Sequence, residues 1–157
     1  MNTWFSVCGA ALVVAACCGA GCSAVARRRA QWRQVHTFAR LLDWLRMYIH
    51  DAPQPAPELL CRAARYPEFA LLNLQNCRSF TQLPVPGCLP ATLQTELHGE
   101  LERLATAPRE TACASLQAMA AQCHRAALEL ERDCRRAAQF YPQLGTCLGL
   151  LAALMLL

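Results

Sequence analysis

Eleven cysteines and four histidines are the side chains of this 157-residue chain with the most chemistry in them. Thiolates and imidazoles bind zinc, form disulfides or activate nucleophiles, but each of these needs a particular spacing. There is no C-x-x-C, and Cys17, Cys18 and Cys22 lie inside an apolar run. Cys61, Cys77, Cys88, Cys113, Cys123, Cys134 and Cys147 are scattered singly through helical patterns. Cys123 and His124 are adjacent, so on a helix their side chains point about 100° apart and share a metal poorly. An odd number of thiols fits a reducing compartment in which cysteine packs as a small apolar residue. No metal and no cofactor are expected.

The histidines, His36, His50, His98 and His124, also stand alone. None belongs to an H-E-x-x-H, and the chain has no G-x-S-x-G and no glycine-rich phosphate loop. Glu96, Glu100 and Glu110 read as carboxylates of a polar helix face with no assignable partner. The expectation is a non-enzymatic protein with no small-molecule substrate. All 15 basic residues are arginine, and in the middle of the chain they alternate with Asp and Glu. That pattern lacks the basic stripe with interleaved aromatics of a nucleic-acid surface, so no nucleic-acid partner is expected.

The elements that carry these residues are set by how charge is distributed. The chain is 55% apolar with mean hydropathy +0.17 and a net charge of +4. Residues 1–26 and 137–157 contain no charged side chain, and every charge lies between Arg27 and Arg136. The run 4–26 is long enough to cross a bilayer, which takes about 20 apolar residues. Arg27, Arg28 and Arg29 follow it at once, then Arg33. By the positive-inside rule they hold that flank in the cytoplasm. The expectation is a retained transmembrane helix over 1–26, N-terminus outside. The alternative is an exported helical protein cleaved after Ala24-Val25-Ala26, which imitates an A-x-A site but lacks a positive region before the apolar run. Gly19-Ala20-Gly21-Cys22 imitates a lipoprotein box more weakly, without its leading Leu.

Residues 27–139 read as a cytosolic helical bundle. Val35, Phe38, Leu42, Leu45 and Ile49 recur at three- and four-residue steps. Nothing between Ala26 and Arg27 breaks a helix, so the first helix is expected to continue out of the membrane until the prolines of 52–57 end it. Short helices are expected at 58–66 and 69–78, a loop at 83–90, and a helix at 91–105 on Leu93, Leu97, Leu101 and Leu104. Thr106-Ala107-Pro108 offers a capping hydroxyl and a first-turn proline. It opens a long helix to Gln139 with Leu116, Met119, Cys123, Ala126, Ala127 and Leu130 inside, and a solvated Glu131–Arg135 pair. No segment alternates with the strand period. The fold class is all-α, an antiparallel bundle flanked by two transmembrane helices.

The last run, 140–157, is the second of these. Tyr141 suits the headgroup layer, Arg135 and Arg136 precede it on the cytoplasmic side, and Pro142 is tolerable near the interface. No polar spacer of a lipid-anchor signal precedes the run. Gly145, Gly149 and Ala153 form a small-residue stripe on which another helix packs closely. Ala15, Gly19 and Ser23 repeat that spacing in the first run and are its preferred partner, a helix of another membrane subunit being the alternative.

The ending Tyr141-x-x-Leu144-Gly145-x-x-x-Gly149-Leu150-Leu151 resembles the stage III sporulation protein AB family of endospore-forming bacteria. So do the apolar opening with its arginine cluster, Ile49-x-x-x-Pro53 with Glu58 beyond it, and the helix start Thr106-Ala107-Pro108-Arg109-Glu110. The family's Leu-Gly before that start is Leu104-Ala105 here, and its aromatic-bearing segment is compressed into 83–90. The resemblance implies a membrane-anchored scaffold similar to the platform subunit of type II secretion systems. It would sit in the mother-cell membrane around the forespore, its central domain facing the mother-cell cytoplasm. The implied partners are a cytoplasmic secretion-type ATPase and the membrane subunits of the mother cell–forespore channel.

Overall fold

A computed structural model describes the backbone of residues 2–51 and 54–156. Side chains at 1–14, 17, 18, 52, 53, 141, 142, 144–146, 148–150 and 152–157 lie outside that description. The chain is helical, with no strand among the described residues. Two very long helices dominate: α1, Asn2–Asp51, and α4, Arg109–Leu156. Between them come α2, Ala56–Ala63, three short 3₁₀ helices and α3, Ala91–Leu104.

Proline chemistry sets the internal boundaries. Extended Pro55 precedes α2, and Pro57 falls in the first turn, where its missing N–H has no carbonyl to meet. The helix expected at 58–66 thus begins earlier and stops at Ala63. The helix expected at 69–78 is absent. In its place stand two 3₁₀ helices, Pro67–Leu72 and Leu74–Asn76. Asn73 separates them with φ 47° and ψ 48°, a left-handed conformation that ends a helix and that asparagine tolerates. Residues 83–88 are non-helical as expected, and Leu83 and Leu89 are buried. The Gln94 amide donates to the carbonyls of Gly87 (3.1 Å) and Leu89 (2.7 Å), tying this loop to α3.

The capping role expected of Thr106 is not what its hydroxyl does. It donates back to Arg103 O at 3.4 Å, as its amide does at 3.2 Å, and so closes α3. The Pro108 carbonyl accepts from Ala112 at 2.9 Å, the first bond of α4. Arg109, not Pro108, is then the first helical residue, and the helix continues without interruption past Gln139 and through Pro142 to Leu156.

The chain divides into two compact units. Gln31–Glu129 holds the core. Every buried hydrophobic residue among those described, apart from Ala137, lies within it. Val35, Phe38, Leu42 and Leu45 of α1 are fully buried, as their spacing requires, and so are Leu97, Leu116 and Cys123. Ile49, Ala126 and Leu130 are only half-buried. No described polar or charged side chain is buried. The second unit, Met1–Ala30 with Leu130–Leu157, unites the first part of α1 with the last part of α4.

Among the described residues no helix is long and apolar enough to cross a membrane. Both apolar ends of the sequence fall largely on side chains outside the description.

Candidate functional site

Arg27, Arg28, Arg29, Arg135 and Arg136, at the roots of the two apolar ends, are the predicted residues that the fold brings into one unit, and Arg132, which the sequence reading did not single out, joins them. Arg27, Arg28 and Arg29 are consecutive on α1, so their side chains fan over about 200° of the helix. Arg132, Arg135 and Arg136 of α4 stand at i, i+3 and i+4 and share one face. All six are exposed. The two groups, about a hundred residues apart in sequence, belong to one compact unit. Cys134 registers their proximity: burial raises its thiol pKa, and the charges of Arg28 and Arg29 pull it back down. Glu131 is engaged by Arg135 at 2.6 Å.

The charge census sharpens this. The unit formed by the two helix ends holds six arginines against two carboxylates, Glu131 and Asp133. Gln31–Glu129 holds nine arginines against nine carboxylates. The whole net charge of +4 therefore resides in the helix-end unit.

The small-residue stripes are placed less completely. Ala15, Gly19 and Ser23 are exposed on α1, a Cβ added at Gly19 would meet nothing within 4 Å, and the Ser23 hydroxyl donates to Ala20 O at 2.8 Å. Gly145, Gly149 and Ala153 lie on the α4 backbone, but their surroundings, like the ring of Tyr141, lie outside the described side chains.

One constellation is invisible in sequence. Trp32 stacks on His36 with ring centroids 5.4 Å apart, and His36 meets His124 edge-on at 6.3 Å. His124 Nε2 donates to Asp43 Oδ2 at 2.8 Å. His36 and Asp43 are seven residues apart on α1, one heptad, and His124 comes from α4; only the pairing of the helices unites them. Asp43 orients an imidazole here, but the pair is about half exposed, so it is worth roughly 0–1 kcal/mol. Among the described residues no three His, Cys, Asp or Glu side chains are grouped to hold a metal.

A second cluster joins Trp44, Tyr48, Tyr66 and Phe69, with the Arg62 guanidinium over the Tyr48 ring at 5.7 Å. Arg40 pairs with Glu68 at 2.6 Å beside it. These contacts hold the 3₁₀ segment onto α1. Between α3 and α4 runs an open groove of about 760 Å³ lined by Thr95, Glu96, Glu100, Arg103, Ser115 and Gln122, among others. Its walls offer hydroxyls, an amide and the Glu100–Arg103 pair, but no imidazole or thiol. The eight described cysteines stand as free thiols. Burial pushes Cys123 up to about 12 and raises Cys77 and Cys88 as well, which suits packing and disfavours nucleophilic or metal-binding thiolates.

No protein-family model, curated protein or solved structure matches this chain.

Proposed function

We propose that this chain is a non-enzymatic, membrane-anchored scaffold: two apolar helix ends embedded in a bilayer and a charge-balanced helical domain displayed on the cytoplasmic side. The observation that carries the reading is the partition of charge and apolarity. Residues 2–26 and 137–156 carry none of the charge, and the arginines concentrate at their roots. At 1.5 Å per residue, Asn2 to Arg27 measures roughly 38 Å and Arg136 to Leu156 about 30 Å, enough for a hydrocarbon core of about 30 Å. Retention of the first run is supported by α1 itself, because cleavage after Ala26 would cut a 50-residue helix at its middle. A place for the scaffold is supported by the resemblance of the opening, the segment Thr106–Glu110 and the ending Tyr141–Leu151 to the stage III sporulation protein AB family. That place is the mother-cell membrane around the forespore, as a platform for a secretion-type ATPase and channel subunits. The Gly145, Gly149 and Ala153 stripe is a close-packing face whose preferred partner is the Ala15, Gly19 and Ser23 stripe, a helix of a channel subunit being the alternative.

The test is complementation in an endospore former lacking its platform subunit, with tags at both termini. The wild-type chain restores spore counts and fractionates with membranes; produced in vegetative cells, where it enters the plasma membrane, it exposes both tags to external protease. Gly149→Leu, which keeps the tail apolar, remains in membranes but loses complex formation and spores. Tags protected in intact cells would sink the topology. Failure of the wild-type chain to restore sporulation would sink the role.

A further inference from the structure

We propose that Arg27, Arg28, Arg29, Arg132, Arg135 and Arg136 form a collar that binds the phosphates of anionic phospholipid headgroups. The inference rests on the reading of the apolar ends as membrane-embedded, and adds to it a lipid class and a site. Three observations carry it. First, two arginine groups distant in sequence meet in one compact unit, all six side chains are exposed, and Cys134 lies within the field of Arg28 and Arg29. Second, that unit holds the whole net charge of +4, even with Glu131 and Asp133 counted against it and Arg135 paired to Glu131. Third, position selects the ligand. In α1 the uncharged run precedes the collar and in α4 it follows, so both runs leave it in the same direction, and Phe140 is 60% exposed one turn beyond Arg136.

Along each long helix the arginines stand between an uncharged run and charge-balanced sequence, the order of acyl chain, phosphate and water at a bilayer surface. The planar guanidinium fork takes phosphate oxygens two at a time. Near an anionic surface each arginine contributes roughly a fivefold preference, which fades beyond a Debye length of about 8 Å at physiological salt. Single-stranded nucleic acid is typically held on aromatic platforms beside the cations, and the stretches 27–29 and 132–136 contain no aromatic residue.

The experiment uses the full-length chain, synthesised without cells in the presence of two vesicle populations of different density. One is phosphatidylcholine, the other phosphatidylcholine mixed with phosphatidylglycerol. Flotation reads both association and preference. The expected result is association with vesicles and enrichment on the phosphatidylglycerol population, weakening as salt rises. R27Q, R28Q, R29Q and the corresponding changes at 132, 135 and 136 each lower the enrichment roughly fivefold or less, until it disappears when combined. The same positions changed to Lys keep most of it, with an unchanged far-UV circular dichroism spectrum in both series. Flotation without preference, or preference that survives the combined Gln variant, overturns the collar and leaves the anchoring reading intact. Flotation with neither population overturns the anchoring reading and the collar together. Preference erased by inorganic phosphate at matched ionic strength, or by an RNA oligomer bound in place of vesicles, overturns the lipid surface as its ligand.

Discussion

Cys123 shows how a residue with chemical potential is turned into packing. Its side chain is fully buried on the inner side of α4, and desolvation pushes the thiol pKa up to about 12. Cys61, by contrast, is an exposed thiol on α2. A thiol alkylator applied to the native chain should therefore label Cys61 rapidly and Cys123 only on unfolding, as mass spectrometry of the digested protein would read. The same shift has a consequence for stability. An unfolded Cys123 ionises near pH 9, where the folded thiol remains neutral. Below that pH the group contributes nothing to the pH dependence. As pH rises through the interval toward 12, ionisation favours the unfolded chain and stability falls. Urea midpoints measured across that interval should decline, and Cys123→Ala should decline less steeply from a lower starting value. An equal slope in both proteins would assign the decline to other groups.

At the scale of elements, the segment between α2 and α3 is governed by single residues that interrupt helices. Asn73, with its left-handed backbone, turns the chain between Pro67–Leu72 and Leu74–Asn76 so that Phe69, Leu72 and Leu74 all reach the core. A β-branched residue cannot hold that conformation without strain, whereas glycine holds it freely. Asn73→Val should destabilise the fold by about 1–2 kcal/mol and Asn73→Gly by much less, as chemical denaturation would show. Equal losses would mean that the Asn73 side chain, and not its backbone, is what matters. Gln94 governs the next segment in the same way, satisfying two loop carbonyls with one amide.

The whole molecule is organised by a division that cuts across its two longest helices. Gln31–Glu129 contains the hydrophobic core and balanced charge, and the helix ends hold the excess arginines and the apolar runs. A domain with its own core should fold alone. Residues 31–129 expressed by themselves should give a helical protein with one cooperative urea transition, recovered without detergent. Its zero net charge predicts poorer solubility near neutral pH than charge-shifted variants. A non-cooperative transition would mean that the helix ends are needed to complete the core.

The sequence by itself determined the helical class, because three- and four-residue apolar spacing in α1, α3 and α4 admits one buried face and no strand. It also determined the location of the arginines at the roots of uncharged runs, since both follow from composition along the chain. The 3₁₀ segment was not legible, because Asn73 adopts its left-handed conformation to satisfy packing by Phe69 and Leu74, and asparagine is permitted that conformation without being driven to it. The role of Thr106 was likewise not legible: a threonine before a proline can cap the next helix or close the previous one, and here its hydroxyl and amide both donate to Arg103 O. Only tertiary structure joined His124 to Asp43 and His36, and Arg132–Arg136 to Arg27–Arg29. Each union depends on how two helices pair across about a hundred residues, and periodicity defines the face of a helix without naming what lies against it.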